Sequence, residues 1–177
     1  MAEDSKAVKS ILKDLEASDE KIVLDAIKRN RKEGNQKTFK ALLNTLKNTD
    51  EPTVEAAIIE FLFDLKEQNA ADVLAETLES NSLEYYNSFL IAAFWQSSID
   101  GSAHLSLFVK KAIKGDYMSC LEALTVIENF DSSFSETELQ DCVFELEEAI
   151  EEEKEADKKA LLISMKEVVE KLPLEGE

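Results

Sequence analysis

A single histidine stands among 177 residues, so chemistry built on paired imidazoles or a His-rich metal site has little to work with. Two cysteines do not make a disulfide framework. Four glycines and two prolines are too few for the tight turns of an all-β fold or for a collagen-like repeat. Positive charge is also scarce: 20 Lys and Arg face 38 Asp and Glu, a formal charge of −18. Nucleic acid and anionic lipid both need basic surface to neutralise phosphate, so neither nucleic acid nor membrane is expected as a partner. The longest uncharged stretch, from Tyr85 to Ile99, is shorter than a membrane span. The chain opens on acidic residues with no signal-peptide apolar region behind them, which points to the cytoplasm.

What is present reads as one helical domain over 1–177. Hydrophobic residues make up 44% of the chain, too many for a disordered acidic tail. Apolar residues recur at spacings of three and four, from Ile11, Leu12 and Leu15 to Leu161, Leu162, Met165, Val168, Val169 and Leu172. That is the helical period, and no stretch alternates as a half-buried strand would. Gly34, Gly101 and Gly115 fall between such stretches, where helix C-termini favour positive φ. Pro52 is expected in the first turn of a helix and Pro173 beyond the last one. Ser135-Glu136-Thr137-Glu138 has the form of a capping box, and Asn81-Ser82-Leu83-Glu84 has a weaker form of it. The expected fold class is all-α.

Slid against itself, the chain repeats. The segments starting at Val23, Val54, Leu90 and Cys120 superimpose, with Ala26, Ala57, Ala93 and Ala123 three residues on. A second series pairs Leu42 with Leu46, Leu74 with Leu78, Val109 with Ile113, and Cys142 with Leu146. Two interleaved series in step over four copies indicate helix–turn–helix repeats at 18–48, 49–80, 81–115 and 116–153. Each alanine lets two helices approach closely, and stacking buries the faces that one hairpin leaves open. Single helices at 5–17 and 155–172 would cap the two ends.

The run Thr38-Phe39-Lys40-Ala41-Leu42-Leu43-Asn44-Thr45-Leu46-Lys47-Asn48-Thr49-Asp50-Glu51-Pro52-Thr53-Val54-Glu55-Ala56-Ala57 resembles the junction between bacterial HEAT-like (HEAT/armadillo-type) repeats. There a helix ending in Leu-x-x-Leu leads through an acidic, Pro-containing turn into an Ala-rich helix. Glu55 departs from the pattern, since the family often has Arg after the Val. The resemblance implies a right-handed α-solenoid of about four helical hairpins, and such solenoids are most often binding scaffolds.

No catalytic constellation, cofactor site or metal site stands out. Cys120 aligns with Val23, Val54 and Leu90, and Cys142 with Leu42, Leu74 and Val109, so both read as small core hydrophobes. His104 follows Asp100-Gly101-Ser102 and reads as part of a helix start, with Ser102 as N-cap. The acids Glu145, Glu147, Glu148, Glu151, Glu152, Glu153, Glu155 and Asp157 lack calcium-loop spacing and read as a solvated helix end. Second helices of successive repeats alternate in charge: Lys37, Lys40, Lys47; Asp72, Glu76, Glu79; Lys110, Lys111, Lys114; Asp141, Glu145, Glu148. Weak ion pairs between repeats are expected from this. Net charge runs from +2 over residues 1–50, with the basic run Lys28-Arg29-Asn30-Arg31-Lys32, through −7 over 51–118 to −13 over 119–177. Such a field would steer a basic partner to the C-terminal half.

One ridge of the first helices is polar at the ends of the array (Asp25, Lys28, Lys32; Glu122, Thr125, Asn129). It is apolar in the middle (Ala56, Ile59, Phe63; Ala92, Trp95, Ile99). Two readings fit: the inner repeats bury more of it, or it is a partner or self-association patch. On the second reading Ile59, Phe63, Tyr85, Tyr86, Trp95 and Ile99 are the partner-binding residues. The functional expectation is a non-enzymatic protein–protein scaffold or adaptor, with protein partners of basic character or a homo-oligomer. The alternative is a small-molecule-binding, lyase- or chaperone-like protein acting through a groove.

Overall fold

The computed structural model describes residues 5–176. Among them are ten α-helices: α1 (Lys6–Leu15), α2 (Glu20–Glu33), α3 (Gln36–Asn48), α4 (Pro52–Leu62), α5 (Asn69–Glu79), α6 (Asn87–Gln96), α7 (Leu105–Lys114), α8 (Tyr117–Glu128), α9 (Glu136–Glu152) and α10 (Ala156–Val169). Short side chains accept hydrogen bonds from the first-turn N–H groups at Ser5, Asp19, Asn35, Asp116 and Ser135, which sets five of the starts. Pro52 opens α4, where its missing N–H costs nothing. No helix among the described residues is long and apolar enough to cross a membrane.

The helices sort into two layers. Even-numbered helices touch in order, α2 with α4, α4 with α6, α6 with α8 and α8 with α10, while α1 touches α3, α3 touches α5 and α7 touches α9. Between the layers runs one core cluster from Ile11 to Val169. Its largest fully buried members include Phe108, Leu42, Leu46, Ile58, Leu62, Leu74, Leu90 and Ile127. Among helices consecutive in sequence, α1–α2, α9–α10 and α7–α8 pack most closely, α3–α4, α5–α6 and α2–α3 touch less, and α4–α5, α6–α7 and α8–α9 least. Small residues buried in α7 and α8, among them Ala112, Ser119, Cys120 and Ala123, allow the close approach.

The connections from even to odd helices line one edge and are tied to one another. Ser98 N–H donates to the Leu65 carbonyl at 3.0 Å, and Gln68 exchanges two hydrogen bonds with the Asp100 backbone, at 2.7 and 2.8 Å. Ser132 donates to Ser102 at 3.1 Å. Phe134 N–H bonds the Pro173 carbonyl at 2.8 Å, and Glu175 N–H bonds the Phe134 carbonyl at 3.0 Å. The first junction, between the α2–α3 and α4–α5 connections, is spanned by an ion pair, Arg31 Nη1 to Asp64 Oδ2 at 2.6 Å.

Three local expectations change. None of the helix-flanking glycines has positive φ: Gly34, Gly101 and Gly115 sit at −73°, −104° and −82°. They are there for space. A Cβ on Gly101 would lie 2.7 Å from the Phe94 ring, and one on Gly115 would lie 2.6 Å from the Lys111 carbonyl oxygen. The positive φ falls instead on Asn81, at 51°, so Asn81-Ser82-Leu83-Glu84 is a turn into the 3-10 segment Glu84–Tyr86 and caps no α-helix. The reciprocal capping box is at Asn35 and Thr38. Ser102 does not cap α7 either; it donates backbone N–H and hydroxyl to Asp100, both at 2.9 Å, and His104 precedes the helix.

Candidate functional site

The apolar ridge is carried by the even-numbered layer, and α6 is its centre. From Asn87 to Gln96 that helix has no charged residue. Leu90, Ile91, Ala93 and Phe94 go to the core, leaving Phe89 39% and Trp95 40% exposed. Just upstream, Tyr85 is 84% exposed, and its ring meets Tyr86 edge-on at 5.1 Å. Next to α6, α8 exposes Tyr117 and Met118 at its start. Ile59 and Phe63 are half-buried.

Tyr86 and Ile99 are core residues, 9% and 4% exposed, and present little surface to a partner. The reason is where the helices stop. Ile99 was placed on the ridge by continuing the helical period, but α6 ends at Gln96 and Ile99 turns inward beside the bonded Gln68–Asp100 pair. Tyr85 and Tyr86 are consecutive residues of one 3-10 segment, where neighbouring side chains point about 120° apart, so Tyr85 faces out while Tyr86 turns inward. Its hydroxyl donates to Glu55 Oε2 at 2.8 Å. Burial, reinforced by the Glu55 carboxylate, pushes its pKa up to about 12. Glu55, the departure from the HEAT-like pattern, thus accepts a bond across the α4–α6 seam.

Trp95 makes the equivalent bridge one seam on. Its indole N–H donates to Glu122 Oε2 at 2.6 Å, joining α6 to α8 while the residue stays partly open to solvent. Phe89 and Met118 were missed from the sequence. Extending the ridge one turn upstream of Asp25, Ala92 and Glu122 would have found Ile22, Phe89 and Met118, all more than a third exposed.

On the odd-numbered layer the alternating charges are joined in two places, Lys40 to Glu76 at 3.1 Å and Lys110 to Glu145 at 4.0 Å. Between them the His104 imidazole lies 3.4 Å from Asp72. Lys111 donates to Asn81, and burial lowers its pKa. In the basic run, Arg29 is held by Asp14 at 2.6 Å and Asp25 at 2.8 Å, which holds Asp14 below the usual carboxylate range.

The acidic end of α9 also has partners. Glu147 pairs with Lys166 at 2.9 Å. Glu153 accepts the backbone N–H groups of Lys154 and Glu155 and meets Lys158 at 3.1 Å, so its pKa is lowered. Lys158 is 8% exposed and donates to the Ile113 carbonyl at 2.9 Å, tying α10 to α7. Among the described residues no group of three or more His, Cys, Asp or Glu could hold a metal ion. Cys120 and Cys142 are free and buried, and burial pushes their thiols up to about 11 and about 12, far from a reactive thiolate. No family model matches this chain, and neither a curated protein nor a solved structure matches it.

Proposed function

We propose that this chain is a HEAT-like, right-handed α-solenoid acting in the cytoplasm as a non-enzymatic protein–protein interaction scaffold. Its docking surface is the outer side of α6 with the start of α8, and its partner is a protein segment carrying both basic and apolar side chains. The observation that carries this reading is the charge-free α6 with Phe89 and Trp95 exposed, in a chain of which 33% is charged. Exposed aromatic surface of this kind is what interfaces use as anchors. A net charge of −18 opposes self-association and favours a basic partner. The two-layer packing, in which every second-neighbour pair of helices except α5–α7 packs together, supports the solenoid.

The test is a charge-balanced double variant, Phe89→Glu with Trp95→Lys, beside Ile163→Lys on α10 as a control of equal exposure. Proteins retained from native extract by the wild-type chain should be lost with the double variant and kept with the control. Circular dichroism should show full helical signal in all three. Undiminished capture by the folded double variant, or recovery of a small molecule and no protein, would sink the reading.

A further inference from the structure

The first junction of the loop edge holds a cleft of about 500 Å³ between the end of α2, the start of α3 and the α4–α5 connection. The next junction is tied by the Ser98–Leu65 backbone hydrogen bond and the two bonds of Gln68 with the Asp100 backbone, and the last one by a two-way pairing at Phe134. Here the Arg31–Asp64 ion pair spans the gap. Asn30 lines the cleft and is 6% exposed, yet its Nδ2 has no acceptor. A buried amide donor left this way calls for an explanation, and a missing ligand is one. Gly34 keeps the space for that carboxamide, because a Cβ there would lie 1.9 Å from Asn30 Oδ1.

The rest of the cleft defines what would complete it. Phe39 and Phe61 form one wall, their rings stacked at 6.2 Å, and this favours an apolar body. The Arg31 guanidinium lies 5.3 Å over the Phe61 ring and spends one nitrogen on Asp64. Its fork has further donors to give. Lys32 and Lys66 against Asp64 and Glu67 leave the lining, with Arg31, one positive charge in surplus, in a chain whose net charge is −18. We infer that this cleft binds a small monocarboxylate with an apolar tail, one oxygen accepting from Asn30 Nδ2 and the other from Arg31. The inference does not depend on the scaffold reading.

The probes are benzoate and hexanoate, with benzyl alcohol and hexanol as neutral counterparts. Each is titrated into the full ¹⁵N-labelled chain while the Asn30 side-chain amide pair and the Gly34 N–H are followed by NMR. At least one carboxylate should give a saturable shift of the Asn30 pair, with its alcohol at least tenfold weaker. Arg31→Gln should weaken the carboxylate at least tenfold with helical signal unchanged, and Asn30→Asp should abolish the saturable shift of the Gly34 N–H. Should Asn30→Asp fail to fold, Arg31→Gln decides. The inference is overturned by no saturable shift with either carboxylate, by equal response to the alcohols, or by unchanged affinity in Arg31→Gln. A bound water that keeps its contact to the Asn30 amide throughout the titration would overturn it too.

Discussion

Two successive pairs of odd-numbered helices are bridged by charge, α3–α5 through Lys40 to Glu76 and α7–α9 through Lys110 to Glu145. Successive even-numbered helices are bridged by hydroxyl or indole donors to carboxylates: Thr53 to Glu20, Tyr86 to Glu55 and Trp95 to Glu122. The difference lies in the donors. On the odd-numbered layer both partners of the Lys40–Glu76 pair stand more than half exposed, where water and salt cancel most of the attraction. On the even-numbered layer Tyr86 and Trp95 bring an aromatic ring to the seam with the bond, and Thr53 brings only its hydroxyl. The odd-numbered layer therefore sets the order of the stack with little net stabilisation. The even-numbered layer contributes packing and leaves uncharged aromatic surface behind.

Both kinds of bridge are small beside the core they flank. Phe108 is fully buried in α7, edge-on to Phe94 at 4.9 Å and 6.0 Å from Phe130. Phe108→Ala should cost about 3–5 kcal/mol in denaturant unfolding. A loss under about 1 kcal/mol would mean that the layers do not share a tightly packed seam.

Tyr86→Phe removes a bond of the even-numbered layer while keeping the ring, and should cost about 1 kcal/mol at neutral pH. It also has a pH signature. A tyrosine whose folded pKa is raised from 10.0 to about 12 stabilises the fold below pH 10 and loses that contribution as pH rises towards 12. Cys120 and Cys142, raised from 9.0 to about 11 and about 12, act in the same direction. Wild-type stability should thus fall steadily above about pH 9, and Tyr86→Phe should make the fall shallower. Parallel curves for the two proteins would contradict a buried, bonded Tyr86.

The smallest effect belongs to the odd-numbered layer. A double-mutant cycle on Lys40→Ala and Glu76→Ala should give a coupling of about 0.5 kcal/mol or less, vanishing in high salt. A coupling of 2 kcal/mol or more, on the order of a desolvated charge pair, would reverse the contrast between the layers.

Much of this was legible in the sequence because it follows from period and neighbourhood. Cys120 and Cys142 aligned with Val and Leu positions, and side chains at repeating helical positions meet repeating environments. The alternating charges of α3, α5, α7 and α9 placed Lys40–Glu76 and Lys110–Glu145 in the same way, while the contact of His104 with Asp72 was not among them. Helix ends were less legible. Carrying the period past Gln96 put Ile99 on the surface, and treating Tyr85 and Tyr86 alike ignored that neighbours within one 3-10 segment face different ways. Lys158 gave no signal at all, since its partners, the Ile113 carbonyl and Glu153, are brought to it by the packing of α10.

Helix identity, the repeat and the burial of the repeating positions were determined by the sequence alone, because each depends on residues within a few turns of one another. Which helices pair tightly, which glycines serve space in place of φ, and which aromatic side chains stay exposed were decided only in the tertiary structure. Each of those depends on what a second, distant segment brings to within a few ångströms. Asn30 shows the limit: within α2 it looks like one more polar residue in a basic run, and only the approach of the α4–α5 connection, with Phe61 and Asp64, leaves its amide buried beside a cleft with no acceptor.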